Sequence, residues 1–167
     1  MSTLHQMPAH SRVWVYASDK LLSSTICDQI KLEVKNFASE WISHQNPVKA
    51  EADVLFNTFI VFMVDETING VGGCSIDKSF QFVKQLEKKL GLNFFDRLKV
   101  QLLWEDGSVS SFNKAELQSL YNEGKIIDTT KSFNNTISNK QEFDSKWIIP
   151  LKDLWIYNSI KPSQISI

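Results

Sequence analysis

The most specific local feature of the 167-residue chain is Gly72-Gly73-Cys74-Ser75-Ile76-Asp77-Lys78-Ser79, a glycine turn that feeds directly into an amphipathic stretch. Such a turn leaves backbone N–H groups pointing outward at the positive end of a helix dipole, a chemical basis for holding a phosphate, sulfate or carboxylate. On this reading Gly73, Cys74, Ser75, Asp77 and Ser79 form a candidate anion or ligand site, with Arg12 as a helper. The alternative is thiol chemistry, because a cysteine beside a helix start is biased toward its thiolate. A plainer reading competes with both: the glycines permit a tight turn, Ser75 or Asp77 caps the helix, and Cys74 is a small buried hydrophobe.

A nucleophilic cysteine needs a base, and the chain has three histidines, His5, His10 and His44. His44 follows Trp41 by three residues, at the end of a helical stripe, where an imidazolium complements the C-terminal dipole. Nothing in the spacing sets it beside Cys74. With two cysteines, no C-x-x-C and no H-E-x-x-H, no metal site is expected. Ile60-Val61-Phe62-Met63-Val64-Asp65-Glu66 fits the Walker B pattern, in which the Asp holds Mg²⁺ and the Glu orients water. Its required companion, G-x-x-x-x-G-K-[ST], is missing: the Gly-Lys pair at Gly124-Lys125 is followed by Ile126. No cofactor is expected and no catalytic residue is assigned.

Arginine usage is a quieter signal. The chain has sixteen lysines but only two arginines, Arg12 and Arg97. An Arg in a Lys-rich chain marks a place where a planar, bidentate donor matters, so each can hold a ligand carboxylate or an internal acid. Of the five tryptophans, Trp14, Trp41 and Trp104 fall on core elements, while Trp147 and Trp155 lie in a less regular tail that suits a partner surface.

The elements that must position these residues follow from periodicity. Residues 1–11 read as a lead-in, and Arg12 to Tyr16 as a first strand of alternating β-branched and aromatic residues. Ile26, Ile30, Val34, Phe37 and Trp41 recur at helical spacing, predicting a helix from Thr25 to Ser43 that Asn46-Pro47 ends, with Thr25 and Asp28 as its capping pair. Val48 to Phe56 alternates with a period of two, and Phe59 to Val64 is apolar throughout, as in a strand covered on both faces; Asn57-Thr58 joins them as a hairpin. A second helix runs from Ser75 or Asp77 to Leu90 and stops at Gly91. Leu98 to Trp104 is a strand, Asp106-Gly107 turns it back to Val109–Phe112, and Asn113 with Glu116 caps a third helix that ends at Gly124. Residues 125–146 are polar, with Phe133, Ile137 and Phe143 too sparse to set a period, and apolar density returns from Trp147 to Ile156.

This order predicts an α+β fold in which a two-layer antiparallel sheet carries its helices on one face, a split βαβ or ferredoxin-like core. One domain is expected over 1–167, with 125–167 as a less regular C-terminal addition packed on the core. Eighteen basic against 19 acidic residues, a net charge of -1, argue against a nucleic-acid or anionic-membrane surface. The longest apolar run, Phe59 to Val64, falls far short of the roughly 20 residues of a spanning helix. The N-terminus has no basic region followed by an apolar one, so a cytoplasmic location is expected, which makes Asn134-Asn135-Thr136 a chance glycosylation triplet.

At Arg12-Val13-Trp14-Val15-Tyr16, at Phe37, Trp41 and His44, at Gly73-Cys74-Ser75-Ile76-Asp77-Lys78-Ser79 and at Phe133-Asn134-Asn135, the chain resembles a family of small Bacteroidetes proteins labelled ABC transporter ATPase. The resemblance runs over nearly the whole chain, and G-C-S-I-D-x-S is its most distinctive part. Gly72 stands where the family usually has Ser. The resemblance implies a cytoplasmic bacterial protein and brings no established catalytic residues; the missing Walker A and L-S-G-G-Q segments argue against the literal label. The expectation is therefore a module that binds a protein partner or a small anionic ligand, with thiol or ATP-related enzymology as the alternative.

Overall fold

The computed structural model describes residues 2–43, 46–47, 49–65 and 73–161, the side chains of 42, 43, 46, 47 and 73–76 excepted. β1 (Arg12–Ala17) leads into α1 (Ser24–Ser39) and then a two-residue ladder of β2 (Ile42–Ser43) with β3 (Asn46–Pro47). The hairpin of β4 (Lys49–Leu55) and β5 (Phe59–Asp65) precedes α2 (Gly73–Leu90). Then come β6 (Val100–Leu103), β7 (Val109–Phe112), α3 (Lys114–Asn122), β8 (Lys131–Phe133), α4 (Lys140–Lys146), β9 (Ile148–Pro150) and α5 (Tyr157–Ile160). The described helices include none long and apolar enough to cross a membrane.

The chain is α+β, with two antiparallel sheets of strand order β1-β5-β4 and β7-β6-β8-β9. The first three strands keep the order of a split βαβ unit, β5 lying between β1 and β4. The fourth, β6, does not add to that sheet at β1; it pairs with β7 and β8. Local closure favours this outcome. Gly107 adopts φ 85°, its N–H reaches the Trp104 carbonyl at 3.0 Å, and β6 meets β7 across a tight turn. The helices consequently divide between two outer faces, α1 and α2 over the first sheet and α3 and α5 over the second.

β5 shows why its run is apolar at every position. Ile60, Phe62 and Val64 face α1 and α2, where they meet Ile30, Val34, Val83 and Leu86. Phe59, Val61 and Met63 face the second sheet and its connections, where they meet Val109, Phe133, Ile137 and Trp147. Phe62 is fully buried and touches the rings of Tyr16, Phe37 and Trp41 edge-on.

Element ends differ from the periodic reading where capping decides. Ser23, rather than Thr25, caps α1, its Oγ accepting from the Ile26 N–H at 3.3 Å. The helix stops at Ser39, not Ser43: the Glu40 N–H is shared between the Asn36 and Phe37 carbonyls, and Trp41 leaves the helix to pack its ring on Trp14 and Phe62. α2 starts at Gly73, two residues before the earliest expected start. Gly91 ends it at φ 65°, with the Leu92 N–H returning to the Glu87 carbonyl at 3.1 Å. The Asn113–Glu116 capping box of α3 is present as expected.

The segment expected to be less regular supplies half of the second sheet. β8, α4 and β9 are ordered by anchors too far apart to form a pattern: Phe133 and Trp147 are buried, and their rings pack on Phe59 and on each other within 5.1 Å.

Candidate functional site

The free edge of β1 is the site's foundation. The N–H of Ser18 bonds to the Thr58 carbonyl at 2.8 Å, so even-numbered residues of β1 turn their backbone groups toward the β5 side. Odd-numbered residues turn outward, as Val13 shows by donating to the Ser138 carbonyl at 3.0 Å and Asp19 by donating to Asn93 at 3.1 Å. Residues 138–140 thus close one end of the edge, with an antiparallel bridge from Arg12 to Asn139, and Asn93 closes the other. Between them the outward N–H and C=O of Val15 and Ala17 meet no hydrogen-bond partner among the described residues. This is the place a fourth strand of a split βαβ sheet would take.

A cavity of about 580 Å³ opens along that bare edge, between the two sheets. Its wall on the helix side consists of Tyr16, Phe80, Phe95, Asp77 and Arg97. Phe95 packs on Tyr16 at 5.5 Å and on Phe80 at 4.8 Å, making a continuous aromatic surface. Its wall on the second sheet consists of Gln101, Phe133, Asn135, Thr136 and Ile137, and Trp155 stands at the mouth, 54% exposed.

The polar groups on the second wall are fixed in a chain. Trp147 Nε1 donates to Asn135 Oδ1 at 2.9 Å, Asn135 Nδ2 to Gln101 Oε1 at 2.8 Å, and Gln101 Nε2 to Ser111 Oγ at 3.4 Å. Ser111 Oγ then donates to the Ser18 carbonyl at 3.2 Å, tying the second sheet to the end of β1. Gln101 is 1% exposed, so this chain satisfies a polar group that would otherwise be costly to bury. On the opposite wall, burial pushes the Tyr16 hydroxyl above its ordinary pKa, partly offset by a hydrogen bond with Ser79 and by the Arg97 guanidinium.

The expected residues separate on this map. Asp77 is exposed and lines the groove. Ser79 is fully buried and positions Tyr16 from behind, so it acts through the wall rather than at a surface. Gly73 is the first residue of α2; the glycine turn before it, with Gly72 and Glu66, and the side chains of Cys74 and Ser75 lie outside what is described. Arg12 sits at the start of β1 with its guanidinium 5.1 Å from the Trp14 ring centroid, and is not among the groove-lining residues. Arg97, the other arginine marked by scarcity, is among them. Trp155 stands at the mouth as an exposed ring, whereas Trp147 is buried in the core.

Asp65 and the described cysteine, Cys27, are not among the groove-lining residues. Asp65, at the end of β5, is 7% exposed and lies 3.1 Å from His10 Nε2. Cys27 is buried on α1, and that burial raises its thiol pKa. Among the described residues no group of His, Cys, Asp or Glu is arranged to hold a metal ion. His44 lies outside the described residues.

The groove residues that periodicity missed are Tyr16, Phe95, Gln101 and Asn135. Tyr16 was read as part of the first strand, and Asn135 as part of a chance glycosylation triplet. The bare edge at Val15 and Ala17 carries no local signal, because it exists only through the placement of β6. Compared with known proteins, the chain matches no family model, no curated protein and no solved structure.

Proposed function

We propose that the protein is a binding module that takes an extended segment of a partner polypeptide as an added strand along β1. The observation that carries this reading is the pair of outward-facing residues, Val15 and Ala17, whose backbone groups line a groove closed at both ends. A bound strand supplies the missing partners, and the side chains beside it supply selectivity, as in other strand-addition complexes. The groove has about the volume of established ligand sites and shares their mixture of rings and a few fixed polar groups.

The chemistry on offer is recognition. The described lining residues supply hydrogen bonding, ion pairing and ring stacking to a bound segment. Four backbone hydrogen bonds contribute about 1 kcal/mol each, and ordering the bound segment offsets much of this. Affinity then depends on the side chains that meet Tyr16, Phe95 and Trp155.

The test is Ala17→Pro. Proline removes the outward N–H of residue 17, which β5 does not use, and prolines are tolerated on edge strands. Peptides selected from a random library on the wild-type protein should lose binding to this variant while its far-UV circular dichroism stays unchanged. Retained binding by a folded Ala17→Pro variant would show that the edge is not the docking line.

A further inference from the structure

The register of β1 also says which side chain of a bound segment goes where. A strand added antiparallel would pair one residue with Val15 and another with Ala17, and paired residues share a face of the sheet. Those two side chains therefore point toward the second sheet, the side on which Val15 and Ala17 themselves pack. The residue between them lies opposite Tyr16 and points the other way, toward the wall of Phe80, Phe95 and Arg97.

Charge on that wall is uneven in its reach. Arg97 is exposed and makes no hydrogen bond or ion pair with the described residues, yet its guanidinium bears on the Tyr16 hydroxyl. Asp96 turns its carboxylate back to the Leu98 N–H at 3.1 Å. Asp77, the other acid in the groove, is exposed on α2. The other cations nearby are already paired: Lys99, which lines the groove, lies 3.8 Å from Glu116, and Lys84, 4.1 Å from the Phe95 ring centroid, lies 3.5 Å from Glu87.

Resting on the strand-addition reading, we infer that the groove selects segments whose central residue is acidic, with Arg97 as the specificity-determining residue that forks its carboxylate. Arginine suits this role because its planar guanidinium makes two parallel hydrogen bonds to a carboxylate, which a lysine cannot reproduce. It also gives the scarcity of arginine in this chain a use.

The test is an NMR titration of the full chain with three peptides capped at both ends, acetyl-Ser-Val-X-Val-Ser-amide, with X as Glu, Gln or Lys. Capping leaves the central side chain as the sole carboxylate. The Glu peptide should shift the Val15 and Ala17 amides and bind at least about tenfold more tightly than the Gln peptide, and the Lys peptide should bind weakest. Arg97→Gln should erase the preference for Glu, Arg97→Lys should restore only part of it, and the preference should shrink between 0.05 and 0.5 M salt. Equal binding of Glu and Gln peptides, or a preference that survives Arg97→Gln, overturns the acidic selectivity and leaves strand addition standing. Titrations in which no peptide moves the Val15 and Ala17 amides overturn strand addition itself, and the selectivity with it.

Discussion

Replacing Asn135 with alanine cuts the polar chain on the second wall at its middle. Two groups lose their partner at once: Gln101 Oε1, in a side chain 1% exposed, and Trp147 Nε1, in a side chain 4% exposed. An orphaned buried polar group costs about 1–3 kcal/mol, so two such groups set a range of about 2–6 kcal/mol. Asn135 lines an open groove, and water can enter the space its amide leaves, which places the expected loss in the lower half, about 2–3 kcal/mol. That is a sizeable part of the 5–15 kcal/mol typical of a domain. Equilibrium urea denaturation of Asn135→Ala measures it, provided the m-value is unchanged. The reasoning has a sharper arm in the double variant with Gln101→Met, which removes one of the orphans together with its partner. The two substitutions should then cost less together than the sum of the singles, by about 1 kcal/mol. Strict additivity, or a loss under about 0.5 kcal/mol for Asn135→Ala alone, would refute the claim that the chain acts as a unit.

Two further outcomes test how the C-terminal half is held. Tyr121 donates to Asp128 Oδ1 at 2.6 Å, and that bond together with one from Tyr157 holds the Asp128 carboxyl below its ordinary pKa. A carboxylate depressed in the folded state stabilises it above the unfolded pKa of about 3.9, and that contribution fades as pH falls through the folded value. Melting temperature followed from pH 6 to pH 2 should therefore fall less steeply in Asp128→Asn than in the wild type. Gly107→Ala should destabilise the β6–β7 hairpin by about 1–2 kcal/mol on the same denaturation assay, because φ is 85° there although the added methyl would meet nothing within 4 Å.

Where the sequence was readable, a side chain's environment followed from near neighbours in the chain. The two-faced burial of β5, the Asp106-Gly107 turn, the Asn113–Glu116 box and the Gly91 stop are all set within a few residues. Residues 125–150 defeated the same approach because Phe133 and Trp147, though in ring contact, stand far apart in sequence, and their partner Phe59 is farther still. The candidate site was half legible. Arg97 was picked out by residue scarcity, Trp155 by its place in a less regular tail, and Asp77 by the helix start, but each pointed to a different idea of the site. Nothing in the order strand, helix, strand, strand, helix, strand says that the last strand will leave β1 uncovered.

That departure ties the fold to the function proposed for it. An exposed sheet edge is ordinarily a hazard, since any passing strand can pair with it. Here the edge is recessed between two sheets, and its ends are closed by the bonds from Val13 to Ser138 and from Asp19 to Asn93. The two donors stand six residue steps apart along the chain, a span of about 20 Å that admits a few residues of a guest and stops a long strand from zipping along it. The polar chain from Trp147 to Ser18 fixes the second wall and ties it to the end of β1 before any guest arrives, so the slot's own ordering cost is met during folding and only the guest must be ordered on binding. The same bonds that stabilise the second sheet therefore govern the affinity of the groove. Weakening them by Asn135→Ala should loosen peptide binding as well as stability, whereas Arg97→Gln should change which peptide is preferred and leave stability untouched.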